Sequence, residues 1–213
     1  ELFDGFLSPR ISAGLTVNQN HNFRASFQTG FRNPDTQALY IGLDTALGNL
    51  VGGASDNGDR FVRPQSVSQF AQTNFGLPAV INQAGSAAYN NSLGSSIATG
   101  LATHNPSSNG SEFIGNSSTV VPEQVSSFEV GYRGKFDKLI VDFSTYYNKY
   151  QDFISQEVVI SPFYGTVGDG GLSADAIDNG DYQTYSAYTN SSADVKSYGA
   201  SLGLSTKVFN GFD

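Results

Sequence analysis

The sequence contains two histidines, His21 and His104. To act in a catalytic triad, either one would need a serine and an aspartate held in a fixed geometry. Serine and aspartate are common in the chain, so many combinations of positions supply the three residue types of a Ser–His–Asp triad. A triad is recognised by geometry, and neither histidine comes with the strand–turn–helix context of a nucleophile elbow. We therefore interpret both as residues of a turn and a loop, and expect no catalytic residues and no enzyme.

Two acidic segments are similar to fragments of calcium-binding loops: "DAIDNGD" at 175–181 and "SDNGD" at 55–59. Carboxylate oxygens around a turn that glycine permits suit Ca²⁺. Neither segment is followed by the glutamate that completes an EF-hand loop. Asp175, Asp178 and Asp181 are therefore either metal ligands or part of a solvated acidic loop. We favour the loop, and expect no metal site and no cofactor.

The composition narrows the class of partner. The 213 residues include 11 Lys+Arg and 19 Asp+Glu, a net charge of −8, which argues against nucleic acid because such binding needs a basic surface. Charged residues make up 14% of the chain, below the roughly 25% usual for a soluble domain. With no cysteine, the chain can form neither a disulfide nor a thiolate metal site.

Five segments alternate between apolar and polar side chains, which predicts strands with two different faces. They lie near residues 10–18, 22–32, 125–133, 139–149 and 196–206. Their length of about ten residues is that of a membrane-barrel strand. In a barrel the apolar side chains would face lipid, and we expect this of Leu15, Phe27, Val130, Val141 and Leu202. The polar side chains expected to face the lumen include Thr16, Arg24, Gln28, Arg32, Glu129, Arg133, Asp142 and Ser201.

The joins between these segments are of two kinds. Two of them, "QNH" and "GKFDK", are short enough for hairpins. The other two, residues 33–124 and 151–195, far exceed the length usual in a compact domain. Short periplasmic turns and long extracellular loops are typical of an outer-membrane barrel. The sequence therefore predicts an all-β fold, with residues 1–213 forming a portion of one large antiparallel transmembrane β-barrel.

Aromatic side chains near the strand ends favour the same interpretation, since they would form two belts at the membrane interfaces. We place Phe31, Tyr132, Tyr147, Tyr150 and Tyr198 at the long-loop end, and Phe23, Phe136, Phe209 and Phe212 at the short-turn end. Within the long loops, short helices are expected in 34–42, 63–76 and 81–94, with Pro64 in a first turn and Gly76 as a stop.

Four motifs resemble those of TonB-dependent outer-membrane receptors. "TGFRNPD" (29–35) is similar to the FRxP signature at the top of an upward strand, and "PEQVSSFEVGYRG" (122–134) to the pattern that opens the following downward strand. "IVDFSTYYNKYQDFI" (140–154) resembles the next upward strand, and "SPRISAGLTVN" (8–18) the strand before the FRxP hairpin. Each motif is short, but their order and spacing together are specific.

The resemblance implies a barrel of about 22 strands in the outer membrane of a Gram-negative bacterium, filled by an N-terminal plug. Its implied function is TonB-energised uptake of a scarce or large nutrient: a siderophore, a vitamin or an oligosaccharide. We expect the plug and the segment that contacts TonB to lie outside this chain, which would then be a fragment. The implied partners are the lipid bilayer, TonB and the nutrient.

Ligand specificity is expected in the long loops, because binding residues concentrate on loops held by a rigid scaffold. The candidate ligand-binding residues are loop aromatics, of which Phe70 and Phe75 are further examples: Tyr40, Phe61, Tyr89, Tyr164, Tyr182 and Tyr185. Two alternatives stay open. One is an outer-membrane barrel that acts as an adhesin or docks a partner, such as a surface lipoprotein, without transport. The other is a soluble secreted β-rich module.

Overall fold

The computed structural model describes residues 5–46, 48–94, 117–169 and 171–206, which form twelve strands and five helices. Numbered along the chain, the strands are β1 (Arg10–Val17), β2 (His21–Arg32), β3 (Gly42–Thr45), β4 (Gly48–Val51), β5 (Val62–Ser66), β6 (Val80–Ala84), β7 (Leu93–Gly94), β8 (Glu123–Phe136), β9 (Leu139–Gln151), β10 (Ile154–Pro162), β11 (Tyr182–Asn190) and β12 (Lys196–Thr206). The helices are α1 (Thr36–Tyr40), α2 (Asn57–Arg60), α3 (Gln69–Phe75), α4 (Ala87–Asn90) and α5 (Leu172–Asp178). None of the helices in the described ranges is long and apolar enough to cross a membrane.

The chain divides into two compact units. Unit 1 consists of Glu1–Asn33, Pro122–Phe153 and Ser192–Asp213. Unit 2 consists of Pro34–Val121 and Ile154–Ser191, the two excursions between the strands of unit 1. The predicted long loops thus fold into a body with its own sheets, where short helices alone were expected.

Unit 1 contains an antiparallel sheet in the order β1-β2-β8-β9-β12, with β1 and β12 at its edges. Its strands occupy the five segments in which side chains alternate. Tight turns join β1 to β2 and β8 to β9: Asn18 and Gln19 have φ of 49° and 57°, and Asp137 has φ of 52°. Positive φ at these positions matches the twist of hairpin strands. The predicted class, a portion of an antiparallel barrel that these strands do not close, is confirmed.

Strand β8 is longer than predicted at both ends. It begins at Glu123 and continues to Phe136, so the expected five-residue break shrinks to a two-residue turn at 137–138. The longer ladder also corrects one aromatic position. Tyr132 pairs with Phe23, next to the pair of His21 with Gly134, and therefore lies at the short-turn end. Phe209 and Phe212 lie outside the described residues.

Unit 2 interleaves its two excursions in one sheet, of order β3-β4-β11-β10-β7. The second excursion supplies the β10–β11 hairpin, and the first supplies a strand on either side of it. Strand β4 runs parallel to β11, while the other pairs are antiparallel. Because each excursion completes the other's hydrogen-bond ladder, neither can form this sheet alone.

The core of unit 2 explains why β10 was not predicted. Val159, Ile160 and Ser161 are consecutive and all buried, so β10 lacks the alternation of a strand with one exposed face. The main core cluster joins Val51, Phe61, Ala88, Val159, Tyr185 and Ala187, with Tyr89 packed against it.

The helix expectations for unit 2 hold in part. Helix α1 lies inside 34–42, and Gly76 ends α3 with φ of 68°. Pro64 instead lies in β5, and α3 begins after Ser68, whose side chain accepts a hydrogen bond from the Ala71 amide. Residues 81–94 hold β6, α4 and β7 in place of one helix.

Candidate functional site

The ladder of unit 1 sorts its side chains into two faces, called here the polar face and the apolar face. Cross-strand partners on the polar face include the rows Arg10–Gln28–Ser127–Asn148–Ser197 and Thr16–Asn22–Arg133–Asp142–Gly203. The apolar face includes Ile11–Phe27–Phe128–Tyr147–Tyr198 and Leu15–Phe23–Tyr132–Phe143–Leu202. A slip of one residue in any strand would move its charges to the apolar face, so the five registers support one another.

Arg24 lies between two carboxylates on the polar face. Its Nε is 3.9 Å from Glu129 Oε1, and its Nη2 is 4.0 Å from Asp142 Oδ1. All three side chains are well exposed, so each pair contributes little to stability by itself. Gly131 leaves space for the arginine: a Cβ there would come within 2.3 Å of Arg24 Nε. The arrangement supplies a charged surface of mixed sign.

Arg32 and Glu123 pair at the far end of the β2–β8 ladder. Arg32 Nη2 donates a hydrogen bond to Glu123 Oε2 over 2.8 Å, and the two residues stand directly opposite one another in register. The expected position of Arg32, at the end of β2 away from the short turn, is therefore observed. Glu123 was not among the predicted site residues. Extending the alternation of Glu129 back along β8 would have placed Glu123 on the same face.

The structure brings only part of the predicted charged set together. Arg24, Glu129 and Asp142 form one group, and Arg133 stands opposite Asp142 in the ladder. Arg32 is separate, at the end of the strands. All five lie on the polar face, as the alternation predicted.

The predicted ligand-binding aromatics of unit 2 divide by burial. Tyr185, 1% exposed, and Phe61, which lies beneath the Arg63 guanidinium, belong to the core and have no open ring face for a ligand. Tyr89 packs against that core and donates its hydroxyl to the Tyr188 carbonyl over 2.9 Å. Tyr40 and Tyr164 are half-buried, while Tyr182 is exposed. Three of the six candidates thus serve the packing of the unit.

The carboxylate of Asp181 organises a hydrogen-bond cluster. Asp181 is 2% exposed, and its carboxylate accepts three hydrogen bonds: from the Ser68 amide and the Ser68 hydroxyl, both at 2.6 Å, and from the Tyr164 hydroxyl at 3.0 Å. Burial first, and then the Asp181 carboxylate, raise the pKa of Tyr164 above its ordinary value. Among the described residues, no three His, Asp or Glu side chains are grouped as metal ligands would be.

His21 is the first residue of β2 and has specific partners, so it is more than a turn residue. Its Nδ1 lies 2.8 Å from the Tyr132 hydroxyl, and its ring packs edge-on against Phe136 with centroids 5.1 Å apart. These aromatic groups lie at the short-turn end of unit 1. His104 lies outside the described residues.

One serine has the spacing of a nucleophile elbow without its geometry. Residues 199–203 read G-A-S-L-G, but Ser201 lies inside β12 and its hydroxyl contacts the Ser144 hydroxyl at 2.8 Å. An elbow needs a sharp strand-to-helix turn. A serine in the middle of an extended strand does not supply one.

Comparisons with known proteins match the whole chain to one family. The family model described as "TonB dependent receptor-like, beta-barrel" covers residues 2–213. A similar solved structure is the siderophore receptor PirA from Acinetobacter baumannii, at 9% identity and a TM-score of 0.43, covering 94% of this chain and 21% of that one. The chain therefore spans about a fifth of that receptor's length. Curated proteins give no match. On the family match, the chain belongs to the TonB-dependent receptor-like β-barrels.

Proposed function

We propose that this chain is the barrel and loop portion of an outer-membrane receptor that takes up a scarce or large nutrient with energy from the TonB system. The family lies in the outer membrane of Gram-negative bacteria and consists of transport receptors. The nutrient would be a siderophore, a vitamin or an oligosaccharide. TonB would act through a segment outside this chain, and a plug would fill the lumen.

The observation that carries the proposal is the opposite polarity of the two faces of unit 1. A charged side chain near the bilayer midplane costs about 2–4 kcal/mol when it points to lipid. Arg24, Glu129, Arg133 and Asp142 share one face, and the row through Leu15 and Leu202 lies on the other. The arrangement supports lipid on the apolar face and a lumen on the polar face.

Ligand recognition would then belong to unit 2. The first excursion begins and ends beside the Arg32–Glu123 pair, and the second follows β9 and precedes β12. Both therefore leave the sheet from the end opposite the short turns, which would be the extracellular end. Of the six aromatic candidates, Tyr40, Tyr164 and Tyr182 remain available to contact a nutrient.

The test removes unit 2 and keeps the sheet. In the full-length receptor, 34–121 and 154–191 are each replaced by a short turn, because the strand ends that they join are adjacent in the ladder. A matched control replaces the turn at 137–138 with Asn-Gly. We expect both variants to insert into the outer membrane, since the strands satisfy their own hydrogen bonds.

Uptake separates the two variants. The variant without unit 2 should lose uptake across a panel of labelled siderophores, vitamins and oligosaccharides, and the turn control should keep it. Normal uptake without unit 2 would refute its role in recognition. Failure of the variant to insert would refute the membrane role assigned to the strands.

A docking barrel without transport is the second candidate. The exposed Phe70 ring adjoins the rings of Phe75 and Tyr164, and such a group of rings favours contact with a partner such as a surface lipoprotein. Deletion of TonB distinguishes the two. Uptake by a receptor would stop, whereas adhesion or docking would continue unchanged.

A further inference from the structure

Three neighbouring aromatic rings of unit 2 are called here the aromatic patch: the exposed Phe70 and the half-buried Phe75 and Tyr164. The centroids of Phe70 and Phe75 are 5.7 Å apart, and those of Phe75 and Tyr164 are 5.5 Å apart. Helix α3 buries Ala71 fully, yet it leaves Phe70 44% exposed. A short helix that anchors itself through an alanine and turns a phenylalanine to solvent has its largest apolar group available for a partner.

The buried carboxylate of Asp181 holds the patch in place through hydrogen bonds. Asp181 accepts hydrogen bonds from Ser68, the residue that caps α3, and from the Tyr164 hydroxyl. The helix that carries both phenylalanines and the segment that carries the tyrosine are therefore tied to the same buried group. A surface ordered before binding loses little conformational entropy when a partner arrives.

The net charge of the chain is concentrated in the unit that carries the patch. Unit 1 has nine acidic and nine basic residues, whereas unit 2 has ten acidic and two basic, which gives it a net charge of −8. Both basic side chains of unit 2 are already paired, Arg60 with Asp56 and Arg63 with Asp44. No lysine or arginine occurs from 64 to 132, the stretch that contains Phe70 and Phe75, or from 150 to 195, the stretch that contains Tyr164.

Two acidic groups lie close to Tyr164 of the patch. Asp181 contacts Tyr164 directly, and Asp175, in α5, is close enough to add to the rise in the tyrosine's pKa. Aromatic ring faces in a negative field attract cations by the ring quadrupole and by the surrounding charge together. Anionic ligands would be repelled by the same field.

We propose that the aromatic patch docks a positively charged polypeptide segment, whose arginine or lysine side chains lie over the rings of Phe70, Phe75 and Tyr164. Phe70 is 44% exposed, so the patch presents an open surface where this ring meets solvent. That shape suits a chain segment better than a small molecule, which is normally enclosed. The inference rests on the proposed placement of unit 2 outside the cell, and it concerns a binding partner in addition to the nutrient.

The experiment measures peptide binding to the purified full-length receptor in detergent, by fluorescence anisotropy. The probes are a short labelled Arg/Ser peptide, a matched Glu/Ser peptide, and free arginine as a competitor. We expect the Arg/Ser peptide to bind, more weakly as salt shortens the Debye length, and the Glu/Ser peptide not to bind. Equal binding of both peptides would overturn the proposal, as would no binding of either.

Variants test the rings. Phe70→Leu with Phe75→Leu keeps apolar volume but removes both ring faces. Because the cation–π contacts are lost, binding should weaken about tenfold. The matched control is Val62→Ala with Val80→Ala, two exposed apolar side chains on the β5–β6 hairpin of the same unit, which should leave binding unchanged.

Two outcomes contradict the proposed occupant. Unchanged affinity in the leucine variant would show that the rings do not hold the cation. Competition by free arginine at the concentration of the peptide would assign the patch to a small cation instead. Neither measurement requires uptake, so failure of this proposal is distinguishable from failure of the transport proposal.

Discussion

Arg32 and Glu123 lie 91 positions apart in the chain and face each other across the β2–β8 ladder, joined by a 2.8 Å hydrogen bond. The glutamate side chain is 9% exposed and the arginine 62%. The pair stands where the chain leaves β2 for the first excursion and where it returns to β8. The β2–β8 ladder is therefore in register up to the point where the chain leaves for the first excursion.

The Arg32–Glu123 pair should show measurable but modest coupling. Because Arg32 is largely exposed, a double-mutant cycle with Arg32→Ala and Glu123→Ala should give a coupling free energy of about 0.5–1 kcal/mol that decreases with salt. Urea unfolding of the refolded receptor would measure it. In a control cycle, Arg10→Ala should show no coupling to Glu123→Ala, because Arg10 stands opposite Gln28. Equal coupling in both cycles would mean that the effect is not specific to the pair.

The two faces of unit 1 should differ in their access to water. The chain has no cysteine, so in a single-cysteine variant it carries no other thiol that a label could react with. Asp142→Cys should react with a water-soluble maleimide. A fluorophore attached at Val141→Cys should instead be quenched by a lipid-borne nitroxide, because adjacent strand residues face opposite sides. The pair Ser201→Cys and Leu202→Cys provides a replicate on β12. Water access at Val141 with lipid access at Asp142 would contradict the proposed facing.

Loss of Asp181 should loosen α3. Asp181→Ala leaves the Ser68 amide and the Tyr164 hydroxyl without their acceptor, which should lower the local opening free energy by about 2–3 kcal/mol. Hydrogen exchange of the α3 amides in the full-length receptor would measure it. Asp181→Asn, which keeps one acceptor oxygen, should lose less.

Asp178→Ala serves as the matched control for the Asp181 prediction, since Asp178 is exposed at the end of α5. Its effect should stay within about 0.5 kcal/mol. A larger effect at Asp178 than at Asp181 would indicate that the exposed acidic residues, and not the buried hub, stabilise this region.

Acid should open the loop around Asp169. Burial raises the pKa of its carboxyl, but hydrogen bonds from the Gly171 amide, the Ser173 hydroxyl and the Thr166 amide outweigh burial and hold the pKa below its ordinary value of 3.8. A lowered folded-state pKa stabilises the loop fully above the unfolded value, and the stabilisation is lost as pH falls through the folded value.

The Asp169 prediction is checked by the exchange protection of the Ser173 amide between about pH 5 and pH 2. Protection should fall with acid in the natural chain. Asp169→Asn cannot titrate, so its protection should be lower at pH 5 and should not change with pH. The same acid dependence in both proteins would show that another group is responsible.

The strands of unit 1 were predictable because their two faces differ in polarity. Alternation from Leu139 to Asn148 is a local property, and each segment shows it without reference to its neighbours. The position of Arg32 at the end of β2 likewise followed from the Pro34 that comes soon after it. The true ends of β8 are set by pairing with β2 and β9, so the alternation did not fix them. Glu123 lies on the continuation of the β8 alternation, beyond the predicted start of the strand.

Unit 2 resisted prediction for the complementary reason. The second half of β10, Val159–Pro162, is buried on both faces and carries no alternation. The parallel pairing of β4 with β11 joins residues more than a hundred positions apart. Phe61 and Phe70 have the same chemistry, yet one is in the core and the other faces solvent. Nothing in their immediate neighbours distinguishes them.

Local periodicity and charge thus determined the strand class, the two faces and the family resemblance, because each depends on side chains within a few residues of one another. Tertiary packing decided which loop aromatics are core, that Asp181 caps α3 through Ser68 across 113 positions, and that two excursions share one sheet. Those outcomes depend on which surfaces meet after the chain has closed long loops. The physical reason is that the type of a residue sets only its preference for burial. Whether the residue is buried depends on which other parts of the folded chain pack against it.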